Sequence, residues 1–525
     1  MAAGGEATGP ARPQAEGPEA PADPEPAPPP SADTITLEFD LPPEAAPRMG
    51  RLPALAPWRL GRSRGAVADR VWLDTADGRL AAAGLVVEAP ARGPRRLLAI
   101  LPPPAGPWHP GQPPALLRTL EGEEPPEETE GDPISPVAAF AGRQQGFRLS
   151  PPEGEVQALL TFGHLRSLSA DRPAARLALS GPLPAVRRVA LAIAAEVPLL
   201  PPRASLAEEG RALATGAPPR PHRLGAPDTS AAATAEDAFM HAFGHLLEVV
   251  HQQSARIRPD APPEPVHQMR VALRRLRSLF RVFRPLTDCA ALRALDARLR
   301  EVLAVLGPAR DWDVFLGGIA AEVTAAFPAD RRIAALRRAA EAERKAAYGA
   351  VAAMLDAPGW RLLLIEAIGT LLARPWREGA EPDRLAALAA PVEAYGRAVL
   401  ERRWQRLRRA GRDFETLTAE ELHELRLDGK RLRYAAEVFA PVFGMKAGRR
   451  FLRRIAALQD GLGLANDAAV ARGLAQRLLR KGEPGRAWAV GVLEGWSEAR
   501  RVARRGEALA AWQRLHGKDR FWTEG

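Results

Sequence analysis

A chain of 525 residues with 46% apolar and 26% charged residues is too long for one ordinary core and normal in make-up for a globular protein. Its one cysteine, Cys289, excludes an intrachain disulfide. No uncharged apolar run reaches the ~18–20 residues of a membrane span, and no charged-then-apolar start marks a secretory signal, so a cytoplasmic protein is expected. Charge is uneven: residues 229–525 hold 50 Lys+Arg against 36 Asp+Glu, a net +14, while residues 1–228 hold 23 against 27, a net −4. The basic excess predicts a polyanionic partner for the C-terminal part.

Residues 1–33 are Ala, Pro, Gly and acids without an apolar period, which predicts a disordered tail. Over 34–214 the chain breaks into short segments split by Pro and Gly. Strands are expected at Thr34 to Phe39, Ala68 to Leu73, Leu97 to Leu101, Val156 to Phe162 and Arg176 to Leu179, with a further strand after Gly84. Residues 104–135, with the acidic run Glu121 to Asp132, read as a long loop, and Val186 to Glu196 as a helix. The domain is therefore α+β and strand-rich. Residues 215–228 read as a linker. From 229 to 525 the pattern is helical, broken at Pro259 to Pro265, Gly307-Pro308, Pro328, Pro358-Gly359, Gly411, Gly444 and Pro484-Gly485. These breaks leave about four helices in each of two units, an all-α double four-helix bundle.

The two units repeat one another. Val266-His267-Gln268-Met269-Arg270, running on through Arg274, Arg275, Leu276 and Arg277, recurs as Leu422-His423-Glu424-Leu425-Arg426, running on through Lys430, Arg431, Leu432 and Arg433. The offset from His267 to His423 is 156 residues, and Leu306-Gly307-Pro308-Ala309-Arg310-Asp311 recurs at the same offset as Leu462 to Asp467. A duplicated unit related by an internal pseudo-two-fold is expected. On a helix, His267, Arg270, Arg274, Arg277 and Arg281 share an arc of roughly 80°, with Met269, Leu273, Leu276, Leu279, Phe280 and Phe283 opposite. His423, Arg426, Lys430 and Arg433 do the same opposite Leu425, Leu432 and Phe439. Stacked like charges destabilise a free helix, so acidic neighbours or a bound polyanion must offset them. Arg suits phosphate because its planar fork donates two parallel hydrogen bonds. His267 and His423 ordinarily titrate near neutrality and could add charge.

These residues carry a resemblance. Val-His-Gln-Met-Arg-Val-x-x-Arg-Arg-Leu-Arg with Leu-Gly-x-Ala-Arg-Asp-x-Asp-Val at 306–314 resembles the first half of a CHAD domain (conserved histidine α-helical domain). Leu-His-x-Leu-Arg-x-x-x-Lys-Arg-Leu-Arg-Tyr at 422–434 with Leu-Gln-Asp-x-Leu-Gly-x-x-Asn-Asp at 458–467 resembles the second. The resemblance spans residues ~230–515 and implies a helical double bundle that binds inorganic polyphosphate through a central basic channel. It implies His267, Arg270, Arg274, Arg277, His423, Arg426, Lys430 and Arg433 as ligands, with Arg275, Arg281 and Arg431 secondary. Asp311, Asp313 and Asp467 would cap or orient them. The stretches Arg402 to Arg409 and Arg449 to Arg454 read as solvated helix faces that could extend an anionic track.

The first domain resembles a CYTH (triphosphate tunnel) domain, an antiparallel barrel, on Phe39-Asp40-Leu41-Pro42-Pro43-Glu44 and Val71 to Leu80. Family members that act on triphosphates open on Glu-x-Glu-x-Lys, where this chain has Thr34, Thr36 and Glu38. Other expected cations are replaced at Leu85 to Glu88, Leu97 to Leu101 and Ser205 to Gly210. The resemblance therefore implies a degenerate, non-catalytic domain, with no catalytic residue, metal or cofactor expected. His241 and His245, at i,i+4, lack a third ligand and read as packing or surface residues. The expected function is polyphosphate binding, with a targeting or granule-associated role. The rivals are nucleic-acid binding, disfavoured because the stripes lack stacking aromatics, and a phosphate-chain hydrolase, for which no metal site or general base is arranged.

Overall fold

The computed structural model describes residues 34–101, 106–122, 124–220, 224–260, 262–479, 484–516 and 520–523, with the side chains of 419, 463–469 and 500–505 excepted. The tail expected over 1–33 and the side chain of Asp467 lie outside the described residues. The chain runs β1 (Thr34–Asp40), α1 (Ala46–Met49), β2 (Arg59–Val67), β3 (Arg70–Thr75), α2 (Arg79–Ala82), β4 (Leu85–Pro90), β5 (Arg95–Ala99) and β6 (Ala115–Leu120). β7 (Ile134–Leu149), β8 (Val156–Arg166), β9 (Asp171–Pro182), α3 (Leu183–Glu196) and α4 (Leu206–Thr215) complete the first part. The strands form one antiparallel sheet in the order β1-β9-β8-β7-β3-β4-β5-β6, with β2 paired to β7. It curls into a half-barrel.

The stretch 104–135, expected to be a loop, contains β6, which pairs with β5 from Arg95↔Leu120 to Ala99↔Ala115. β2 was also unanticipated. Every residue of it is exposed, so it carries none of the apolar alternation by which a strand is recognised.

One face of the sheet packs on α3. Leu37, Phe39, Leu177 and Leu179 join Val186, Val189 and Ile193 in a core that continues into the helical part. The other face holds α4. Trp72, Phe140, Leu165 and Ala174 bury Ala207, and a Cβ on Gly210 would stand 2.9 Å from Ala138 Cβ and 3.2 Å from the Trp72 ring. The concave face is thus an apolar core closed by a helix.

The helical part comprises α5 (Ala235–Ser254), α6 (Glu264–Thr287), α7 (Ala290–Gly317), α8 (Ile319–Ala326), α9 (Arg331–Asp356), α10 (Pro358–Ala373) and α11 (Pro382–Ala389). It continues through α12 (Val392–Ala410), α13 (Ala419–Phe443), α14 (Met445–Arg477) and α15 (Pro484–His516). At the 156-residue offset α5, α6, α7 and α9 fall on α12, α13, α14 and α15. Each packs on its counterpart. Two backbone hydrogen bonds tie the starts of α5 and α12 together: Ala235 N–H donates to Ala390 O at 3.0 Å and Val392 N–H to Ala233 O at 3.2 Å.

The break expected at Gly307-Pro308 does not occur, because α7 carries Pro308 in its interior. Proline removes one ladder hydrogen bond and crowds the preceding turn. In that turn the Leu303 carbonyl accepts Arg270 Nη1 at 3.1 Å, so the loosened segment is tied to α6 instead of ending the helix.

Between the two parts residues 216–219 are exposed, while Arg220 is anchored. Arg220 is buried on Glu208 and donates to the Ile100 carbonyl at 3.2 Å. The two parts also meet closely at Gly244 of α5, where a Cβ would stand 1.7 Å from the Trp108 carbonyl oxygen.

Candidate functional site

α13 starts at a capping box: Thr418 Oγ1 accepts the Glu421 N–H and the Glu421 carboxylate accepts the Thr418 N–H. α6 starts after Pro263, with Glu264 in its first turn. Both helices bury the faces expected of them. Met269, Leu273, Leu276, Leu279, Phe280 and Phe283 of α6, and Leu425, Leu432 and Phe439 of α13, are all core residues. The cationic stripes are left to face one another's surroundings, and there they divide into groups with different chemistry.

The first group lies on α6 and α7. Arg270 is buried, with its Nη1 on the Leu303 carbonyl. Burial, then Arg274 and Arg310, pull its guanidinium down to about 10 against partial relief from Asp311. His267 is likewise pushed below its ordinary value by burial, with Arg310, Arg274 and Arg270 adding to the effect and Glu264 opposing it. The expectation that His267 titrates near neutrality is therefore corrected: in the free protein it is the neutral member of a cationic group. His423 is exposed near the start of α13, while Arg426 and Lys430 are half-buried on that helix.

The second group joins the repeats. Arg281 of α6 is depressed by burial, then by Arg277, with Arg431 of α13 and Arg300 of α7 adding to it and Asp296 opposing. Arg403 of α12 donates to the Arg431 carbonyl. Its own guanidinium is held down to about 10 by burial and Arg402, with Arg431 and Arg281 contributing. Two carboxylates serve this group. Asp296 takes Arg277 in a fork of 2.7 and 3.1 Å and also Arg300 at 3.2 Å. Asp428 takes Arg431 at 2.6 Å and Arg406 at 2.9 Å. Among the described residues, Arg281, Arg402 and Arg403 have no carboxylate within ion-pair distance.

The opposite crossing of the same two helices is built differently. Arg275 of α6 grips the buried Glu437 of α13 through a fork of 2.7 and 3.2 Å and donates to the Gly225 carbonyl at 2.9 Å. Glu437 also accepts Arg433 Nε at 3.0 Å, and Arg433 donates to Gln459 at 3.1 Å. Arg431 is the repeat equivalent of Arg275, and Glu437 that of Arg281, at the 156-residue offset. The Arg281–Arg431 pairing of positions is therefore the symmetry mate of the Arg275–Glu437 clamp, with the carboxylate exchanged for a guanidinium. One crossing carries a buried carboxylate shared by two guanidinium groups, and the other has Arg281 in that carboxylate's place and is the more positive.

Of the stripe residues, His267, Arg270 and Arg274 are brought together, while Arg277 and Arg433 are tied to carboxylates and Arg275 is committed to the clamp. Arg310, Arg402 and Arg403 join the site without having been singled out individually. Arg310 follows Gly307-Pro308 in the repeated motif, a signal that could have found it. Asp313 instead holds Arg344 at 2.7 Å and Tyr348 at 2.9 Å, joining α7 to α9.

In the half-barrel, the expected metal positions are otherwise engaged. Thr36 Oγ1 meets Ser180 Oγ at 2.8 Å. Buried Arg176 sits among three carboxylates, Asp40 at 2.8 Å, Glu38 at 3.2 Å and Glu209 at 3.3 Å. Burial outweighs Arg176 at Asp40 and lifts that carboxyl to about 6. A guanidinium thus occupies the place between acids that a bound cation would need. Among the described residues no group of three or more His, Cys, Asp or Glu is placed to hold a metal ion, and no helix is long and apolar enough to cross a membrane.

The CHAD domain family model matches residues 241–476, the stretch that carries both stripes. A comparison with curated proteins returns no match. Among solved structures, the CHAD domain from the plant Ricinus communis is 28% identical, covering 57% of this chain and 98% of its own, with a TM-score of 0.48. PptA from Streptomyces chartreusis is 17% identical over 54% of this chain and 100% of its own, TM-score 0.40. A Hippeastrum protein, named as an adenylyl cyclase candidate and described with a dominant triphosphatase activity, is 14% identical over 29% of this chain and 81% of its own, TM-score 0.20.

Breaking a buried pair leaves its partner's charge uncompensated, which costs about 3 kcal/mol or more, whereas exposed pairs are worth ~0–1 kcal/mol. Glu437→Gln is therefore expected to lower the unfolding free energy by about 3 kcal/mol, and Glu341→Gln, at the exposed Arg337 pair, to change it by less than ~1 kcal/mol. Urea titration of both variants checks the contrast.

Proposed function

We propose that this chain, whose residues 241–476 form a CHAD domain, binds inorganic polyphosphate at the crossing of α6 and α13. The observation that carries the reading is the exchange of Glu437 for Arg281 at equivalent crossings. A protein that needed only to hold its halves together would be served by a clamp on both sides. Here one clamp is given up, and Arg281 and Arg403 are held partly desolvated beside Arg431. Such cations stay charged at neutral pH and gain most from an anion, since charge-assisted bonds away from water contribute ~1.5–3 kcal/mol each. A linear phosphate chain presents several negative oxygens and could bridge this group and the one around Arg270. Binding of this kind would tether the protein to polyphosphate deposits in the cytoplasm.

The half-barrel supports a role without turnover. One face of its sheet is packed by α4, and Arg176 takes up the acids that could have served a metal. Purified protein supplied with Mg²⁺ or Mn²⁺ is expected to release no phosphate from triphosphate. Metal-dependent hydrolysis abolished by Glu38→Gln would refute this.

Arg281→Glu recreates the missing clamp with Arg431. It should raise the thermal midpoint while weakening polyphosphate affinity by about ten-fold or more, the loss of at least one charge-assisted contact. Calorimetry and thermal unfolding on the same samples check both signs. Unchanged affinity, or displacement of polyphosphate by equal charge of duplex DNA, would contradict the assignment.

The depressed His267 fixes the direction of a pH effect. A bound polyanion favours the protonated ring, so the imidazole has a higher pKa in the complex than in the free protein, and protons are taken up on binding. Affinity should therefore rise as pH falls from about 8 to about 5.5. His267→Gln should flatten that rise and reduce the proton uptake measured by calorimetry in buffers of different ionisation enthalpy.

A further inference from the structure

The second repeat carries a cationic groove that the first lacks. Arg433 at the end of the α13 stripe lines a cleft of about 550 Å³ together with Lys446, Arg449, Arg450 and Arg453 of α14, its floor completed by Leu452 and Ala456. Lys446, Arg449, Arg450 and Arg453 are exposed, no acidic residue stands in the first turn of α14, and among the described residues none of these four forms an ion pair.

Two observations separate this groove from an ordinary solvated face. Its cations crowd the first turns of a helix, where the backbone already presents unsatisfied N–H groups and a partial positive charge. Cations are unfavourable there and anions favourable. The comparison between repeats shows also that the arrangement is not inherited from the helix itself. At the 156-residue offset Lys446, Arg450 and Arg453 correspond to Ala290, Ala294 and Ala297. Arg449 corresponds to Arg293, which is neutralised by Asp288 at 3.0 Å, and the counterpart of Asp288 is Gly444. Relative to the first repeat the second carries three more cations and lacks two acids, Asp288 being matched by Gly444 and Asp296 by the groove-lining Leu452.

We propose that this groove is an auxiliary seat for the phosphate chain, entered past Arg433, which makes the binding surface lopsided and lets it discriminate long linear phosphates from short ones. The inference rests on the reading that the α6–α13 crossing binds polyphosphate. Arg433 is the link from the clamp side of the crossing, since it lies on one stripe with Arg426 and Lys430, shares Glu437 with Arg275 and also lines the groove. An inorganic chain fits better than a nucleic acid because the lining offers guanidinium and ammonium groups and no aromatic ring on which a base could stack.

The test measures the full chain against tripolyphosphate and against long-chain polyphosphate, for wild type and for Lys446→Ala/Arg449→Ala/Arg450→Ala/Arg453→Ala. The four side chains are exposed and alanine is a strong helix former, so α14 should persist, as circular dichroism would verify. Should the quadruple variant unfold, Arg449→Ala/Arg453→Ala gives the same comparison with half the change. The expected result is a loss of about ten-fold or more for the long chain, a logarithmic salt slope smaller by about three, and tripolyphosphate affinity unchanged. Equal losses for both lengths, or no loss for the long chain, would overturn the groove while leaving the α6–α13 site standing. Wild-type protein that binds neither probe would overturn both.

Discussion

A buried carboxylate governs how the two halves of the helical part meet. Glu437 cannot sit in the interior unmatched, and it draws Arg275 from the other repeat and Arg433 from its own helix. That clamp sets the crossing of α6 and α13, and with it the distance between every other pair of stripe residues. The like charges on the far side would drive the helices apart if they alone decided the contact. They are held together by the clamp and by the ring cluster beneath it, where Phe283 lies 5.8 Å from Phe439 and 5.2 Å from Tyr395. The repulsion is thus built into the fold, and on the proposed reading an anion would relieve it without having to assemble the site.

The duplication, both stripes and their buried faces could be read from the amino-acid order because each is a property of one helix with a 3.6-residue period. What the sequence did not disclose lies between helices. The wheel places Arg275 and Arg431 off the stripes equally, yet Arg275 reaches Glu437 across the crossing while Arg431 is held by Asp428 of its own helix, a distinction that no local period encodes. Pro308 misled for a related reason: its local preference to end a helix is overridden by the packing of α7 and by Arg270 at the Leu303 carbonyl. β2 failed on the opposite ground, since a strand exposed on every residue is held by backbone pairing to β7 and leaves no side-chain pattern.

In the front half-barrel, apolar residues on one face of the sheet and the small Ala207 and Gly210 let α4 pack closely. Arg176 there is matched by three carboxylates, Asp40, Glu38 and Glu209. The outer face has a different task. α3 packs on α10, buried Arg361 of α10 donates to the Ala194 carbonyl of α3, and His251 of α5 bonds the Pro201 carbonyl at 2.7 Å. Burial holds that imidazole near 4, so it remains a neutral structural group where His267 is placed to respond to charge.

The difference between the two histidines points to what separates a basic surface from a binding site. Exposed guanidinium groups are hydrated and mobile, and an anion must displace water and order the side chains in order to use them. Arg270 and Arg403 have already lost part of that water and are fixed on the Leu303 and Arg431 carbonyls. Depression to about 10 leaves both fully charged at neutral pH, so the energy of crowding is stored as an unmet demand for negative charge rather than discharged by losing a proton. His267, whose charged form is disfavoured by burial and by Arg310, Arg274 and Arg270, is the one member of its group that sheds its charge in the free protein. Crowding therefore costs the free protein less than the number of basic residues suggests, and on the proposed reading the full positive charge would develop when a polyanion is present to meet it.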